Sequence, residues 1–99
     1  MNTFFMPLSY TTGIQIAGSE GPLVLGSRAQ FTCSSDLNIL LAEWLFEGQV
    51  VVEAEANQAT LIIPAVNDSL HNSLYVCRIT TPYGIQERNM TITVTGMMA

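Results

Sequence analysis

Ser73-Leu74-Tyr75-Val76-Cys77-Arg78-Ile79-Thr80-Thr81-Pro82-Tyr83-Gly84 is the stretch on which the fold turns. Tyr75, Cys77 and Ile79 share one parity, and Leu74, Val76 and Arg78 share the other. A period of two sends one set into a core and the other outward, as in a half-buried antiparallel strand. Thr80 to Gly84 then supplies Pro and Gly, the residues of a closing turn.

The same alternation recurs on both sides of this stretch. Ala29, Phe31 and Cys33 alternate with Gln30 and Thr32, and Leu40, Ala42, Trp44 and Phe46 share one parity. Met90, Ile92 and Val94 alternate with Thr91 and Thr93. Gly and Pro punctuate the chain between short runs of Val, Ile, Thr, Leu and Phe, the vocabulary of β-sheets. Several short strands at such spacing predict a sandwich or barrel. No window supports a long amphipathic helix, and Glu53 to Asn57 is too short to stand as one.

Composition narrows the function classes. The chain has 99 residues, 48% of them hydrophobic and 11% charged, which suits one packed domain rather than a disordered tail. Eight acidic residues oppose three basic ones, Arg28, Arg78 and Arg88, and there is no Lys. That balance argues against nucleic-acid binding and against a polybasic membrane surface, and it excludes lysine-based covalent chemistry. Ile39-Leu40-Leu41-Ala42 is the longest unbroken apolar stretch, far short of the ~20 residues of a membrane helix. Residues 1–9 read as a leader or the remnant of a preceding segment, residues 10–95 as the domain and 96–99 as a tail; an anchor, if the parent has one, lies elsewhere.

The two cysteines, Cys33 and Cys77, are too few for a structural zinc site and form no Cys-x-x-Cys pair. A disulfide in an oxidising compartment is the natural reading and would contribute roughly 4 kcal/mol by loop-closure entropy. The competing reading is two buried, reduced thiols.

At these residues the chain resembles an immunoglobulin superfamily domain, over about residues 10–95. The pattern Gly26-x-x-Ala29-x-Phe31-x-Cys33 resembles the family's B strand. Trp44, with Leu45-Phe46-Glu47-Gly48 after it, resembles the C strand and its turn. Ala59 to Ile63 stands where the E strand would be, Tyr75-x-Cys77 and Gly84 where the F strand and F–G hairpin would be, and Ile92-Thr93-Val94 at the end of strand G. The resemblance implies an all-β, two-sheet antiparallel sandwich in which Cys33 and Cys77 bridge the sheets against Trp44. It places Leu61 in the core and makes Tyr75 a tyrosine corner, its hydroxyl bonding backbone upstream.

Two departures matter. The acid expected before Tyr75-x-Cys77 is replaced by His71, which puts the family's ion pair in doubt. The span from Gly48 to Leu61 has room for one strand and a turn, so the C–E region is short, closer to I-set or C2-type domains than to variable domains.

The candidate chemistry is sparse. His71, Asp68 and nearby serines formally allow a triad, but no Gly-x-Ser-x-Gly elbow exists and His71 reads as a solvated turn residue. The carboxylate pairs Glu43/Glu47 and Glu53/Glu55 lack a calcium loop and read as outer-face residues. No catalytic residue, metal site or cofactor is expected. Two N-glycosylation sequons, Asn67-Asp68-Ser69 and Asn89-Met90-Thr91, gain weight from the disulfide-type fold. Asn67 is expected in the E–F turn, and Asn89 just before strand G, facing outward.

Parity directs Leu41, Glu43 and Leu45, with Leu74, Val76 and Arg78, to the outer face of the G-F-C sheet. There Leu45 and Val76 would form an apolar patch rimmed by Glu43 and Arg78, either a binding face or a face covered by Val50, Val51 and Val52 or by a neighbouring domain. Tyr83 in the F–G turn is a second contact candidate. These residues point to a binding or adhesion module of an extracellular or cell-surface protein, taking a cell-surface or extracellular protein partner, with a second copy of itself as one candidate. Small-molecule substrates and nucleic acids are not expected. The rival readings are an intracellular I-set scaffold domain and a passive spacer.

Overall fold

The computed structural model describes residues 13–35 and 39–96. The leader assigned to 1–9 lies outside them, as does most of the 96–99 tail. Among the described residues nine strands follow in chain order: β1 (Ile14–Gly18), β2 (Leu23–Val24), β3 (Ala29–Ser35), β4 (Leu41–Phe46), β5 (Gln49–Ala54), β6 (Gln58–Ile63), β7 (Leu74–Thr81), β8 (Gly84–Thr91) and β9 (Val94–Thr95). Among the described residues a 3-10 turn, Asp68–Leu70, stands between β6 and β7.

Alternation builds two antiparallel sheets. One has the order β1-β3-β6 and the other β5-β4-β7-β8. The inward parity of each supplies a shared core: Ala29, Phe31 and Cys33 from β3; Ala42 and Trp44 from β4; Ala59, Leu61 and Ile63 from β6; Tyr75, Cys77 and Ile79 from β7. Cys33 and Cys77 close a disulfide between the sheets, with Cα atoms 6.4 Å apart. Trp44, fully buried beside Cys77 in register, donates its indole N–H to the Ala59 carbonyl at 3.0 Å, so its one polar atom is satisfied across the core.

Two hairpins set the registers of the four-stranded sheet. Glu47 and Gly48 join β4 to β5 with φ of 52° and 79°. Positive φ at both central residues is the type I′ geometry that matches strand twist, and Gly48 adopts it without a Cβ clash. Pro82 and Tyr83 join β7 to β8, which sets Val76 opposite Asn89 and Arg78 opposite Glu87. Past the bulge between Trp44 and Leu45, Leu45 pairs with Val50.

One feature departs from a purely antiparallel sandwich: β2 pairs with β9 in parallel, Leu23 beside Val94. The chain leaves the three-stranded sheet at Gly18, where φ is 141° and a Cβ would stand 2.0 Å from the Gln30 carbonyl oxygen. A side chain there would collide with backbone, so only glycine lets β1 end against β3. Leu40, expected inside with Trp44, is 56% exposed because it precedes β4 and its N–H is tied to the Thr80 carbonyl.

Candidate protein-binding face

Registers place the outer-face residues in rows that cross three or all four strands. The first row runs Val50, Leu45, Val76, Asn89, and the second Glu53, Glu43, Arg78, Glu87. A third joins Leu41, Thr80 and Ile85. An acidic stripe therefore lies between two apolar ones.

Two members differ from their expected exposure. Leu45 and Glu43, read from parity as exposed, are 8% and 5% accessible. β4 is flanked by β5 and β7, so side chains on both neighbours shade its outer residues. Glu43 is held by Arg78, whose Nε donates to Oε1 at 2.9 Å. That hydrogen bond is the main reason the Arg78 guanidinium is held above its ordinary range. The pair is thus a bridge within the sheet rather than an open rim. Glu53 and Glu87 stand on either side of it in register and are exposed.

Val76 is half-buried and Leu74 is 47% exposed. Together with Leu45 they line a depression of ≈ 530 Å³ that also takes in the Glu47-Gly48 turn, Asn72-Ser73 and Glu87. Val50 and Val51, offered as a cover, are themselves 45% and 47% exposed and extend the apolar surface toward the sheet edge. Glu87 was missed from sequence; the two-residue hairpin at Pro82-Tyr83 fixes its pairing with Arg78 and was the signal that could have found it.

Tyr83 stands at the tip of that hairpin, 93% exposed. Its turn is held by the Thr81 hydroxyl, which accepts from the Tyr83 N–H at 3.1 Å and donates to the Gly84 carbonyl at 3.1 Å.

Tyr75 is buried, but its hydroxyl makes no hydrogen bond to upstream backbone among the described residues. The ring stacks on Phe46 instead, with centroids 4.8 Å apart. Burial, and then the nearby Glu47 charge, push its hydroxyl above the ordinary value.

His71 is not a free turn residue: its Nδ1 accepts the Val94 N–H at 3.0 Å, tying the turn before β7 to β9. In this way it occupies the place of the expected acid without an ion pair, and Arg28 is exposed. Among the described residues no three His, Cys, Asp or Glu side chains converge as a metal site.

The sequon asparagines lie in unlike settings. Asn67 is exposed on the turn after β6, and its Oδ1 accepts from both the backbone N–H and the hydroxyl of Ser69. Asn89 is not ahead of the last long strand but inside β8, exposed and opposite Val76.

No protein-family model matches the chain. No curated protein matches it. Solved structures do. The Ig7 domain of Dscam1, isoform 5, superposes with a TM-score of 0.64 at 16% identity over 83% of this chain and 96% of that one. The human B7-H4 IgV-like domain gives 0.59 at 17% identity over 83% of this chain and 97% of that one. A chain of the titin M10–obscurin-like 1 Ig complex gives 0.58 at 20% identity over 88% of this chain and all (100%) of that one. Two packed sheets, a disulfide through the core and these superpositions agree on one architecture: the chain folds as an immunoglobulin-like domain.

Proposed function

We propose that this domain is a protein-binding or adhesion module of an extracellular or cell-surface protein, and that it presents the outer face of β5-β4-β7-β8 to its partner. The observation that carries the reading is the depression lined by Leu45, Leu74 and Val76 beside the exposed Glu87. Apolar concavities ringed by charge are the surfaces that mark interaction sites. The disulfide supports both rigidity and compartment, since such bridges persist in oxidising surroundings. Tyr83, at the hairpin tip, would be a second contact. The mechanism is presentation on a rigid scaffold; no bond is made or broken.

Likeness to domains such as those of Dscam1 and B7-H4 supports a binding role only through the shared fold, which hosts many functions. An intracellular scaffold domain is the alternative, and it requires Cys33 and Cys77 to be reduced in the native protein. Intact mass after alkylation, with and without prior reduction, decides between them on protein from its natural source.

The face itself is tested by Val76→Arg. Val76 is already half-open, so the guanidinium can reach water and the fold should survive. Binding to a panel of cell-surface ectodomains, and self-association by sedimentation, should fall at least about tenfold, as for a central contact residue. Unchanged binding, with Tyr83→Ala then abolishing it, would move the site to the hairpin. A domain that binds nothing on the panel and does not self-associate would be a spacer.

A further inference from the structure

The two sequons differ in what a glycan attached to them would touch. We propose that Asn89 is an N-glycan acceptor and that its glycan lies over the open apolar side chains of its row, Val76 and Val50, as a cover that a partner on this face must displace. The acceptor assignment stands on its own, whereas its consequence for binding rests on the function proposed above.

Three observations carry it. First, Asn89 and Thr91 lie two apart in β8, so the amide and the hydroxyl of the sequon project from the same face while Met90 between them packs against the core. Both are exposed. Second, Asn89 is the β8 member of the row that continues through Val76 and Leu45 to Val50. A sugar rooted at one end of that row has the apolar side chains directly inboard of it, and the C–H faces of hexose rings pack on such surface. Third, β8 pairs with no further strand of its sheet among the described residues and Asn89 is itself exposed, while β1 approaches that edge where Arg88 donates to the Ile14 carbonyl at 2.9 Å.

The modification is a transfer from a polyprenyl-pyrophosphate-linked oligosaccharide, supplied with its transferase by the secretory pathway. A bond forms between the asparagine Nδ2 and the sugar C1, the C1–O bond to pyrophosphate breaks, Nδ2 loses a proton, and the lipid pyrophosphate leaves. Asn67 is the internal comparison. It lies on the turn that packs on the β2–β3 loop through the Val66–Ser27 and Gly26–Val66 backbone hydrogen bonds, and not on the sheet face.

The test is the full chain secreted from a eukaryotic host, as wild type, Asn67→Gln, Asn89→Gln and Thr91→Ala. Intact masses should show Asn89→Gln and Thr91→Ala losing the same glycan and Asn67→Gln losing a different one. An Asn89→Gln mass that changes only by the substitution would overturn the acceptor. The cover is read with an anilinonaphthalene sulfonate dye before and after amidase treatment of the folded protein. Fluorescence of Asn67→Gln, which carries only the Asn89 glycan, should rise at least about twofold as the apolar row opens, while Asn89→Gln should not respond. Equal responses, with Asn89 occupied, would overturn the cover. Val76→Arg placed in the Asn89→Gln chain then tests the binding face separately: lost binding there supports the face whatever the dye shows, and retained binding removes the face but not the glycan.

Discussion

On the inner face of the four-stranded sheet Ala42, Trp44, Cys77 and Ile79 are wholly buried, while one residue along the same strands Glu43, Leu45, Val76 and Arg78 form a surface that is only partly closed. The backbone of both faces is the same. The inner residues meet a second sheet and a disulfide, so every side chain has partners above it. The outer residues meet only their neighbours within the sheet. Lateral shading is enough to cover Leu45 and Glu43 on the central β4, but not Leu74 on β7 or Val50 on the edge strand β5. The contrast teaches that burial on this face is made sideways, by row partners, whereas burial on the other is made from above. Each face should therefore fail differently.

The largest expected effect is at the inner face. Trp44→Ala removes a fully buried indole and leaves the Ala59 carbonyl without its donor, so stability should fall by about 3–5 kcal/mol in urea denaturation. A change under about 1 kcal/mol would mean that β4 is not clamped from above as described.

Next comes the lateral pair on the outer face. Arg78→Met leaves the Glu43 carboxylate buried and beside Glu53, at a cost of about 1–3 kcal/mol. Adding Glu43→Gln should recover most of it, and a double-mutant cycle measures the coupling. A single-variant cost near that of a solvated surface pair, below about 0.5 kcal/mol, would erase the distinction between shaded and open positions.

The smallest effect sits where the two faces meet, at the β4–β5 turn. Glu47→Asn puts a residue suited to positive φ into the type I′ turn and should stabilise the domain by about 0.5–1 kcal/mol. It also withdraws one of the two causes that raise Tyr75. Because the folded hydroxyl keeps its proton above the ordinary pKa of 10.0, the unfolded chain releases its proton first. The Tyr75 contribution is then complete below that pH and is lost as pH rises through the folded value. Melting temperatures across the alkaline range should show this decline in wild type, a smaller one in Glu47→Asn and none from this source in Tyr75→Phe. An identical alkaline limb in all three would show that neither burial nor Glu47 acts on Tyr75.

Much of the inner face was legible beforehand because side-chain parity is a local property. Tyr75, Cys77 and Ile79 point inward whatever the strand pairs with, and Cys33 with Trp44 completes the same layer. Turn chemistry was legible too, since Glu47-Gly48 and Pro82-Tyr83-Gly84 mark where strands reverse. The outer face was misjudged at Leu45 and Glu43 because parity reports direction and not cover. Cover depends on which strands lie alongside and in what register. Asn89 was set outside its strand for a related reason: the length of β8 follows from the hairpin register, which carries pairing back to Gly84.

What the amino-acid order determined by itself, then, is the alternation, the turns and the all-β architecture, since each depends on residues close in sequence. Tertiary structure alone decided that Glu43 is buried against Arg78, that His71 accepts the Val94 N–H, that β2 lies parallel to β9, and that Asn89 ends the apolar row through Val76. Each of these joins residues from different strands or turns, and such contacts exist only after the chain has closed on itself.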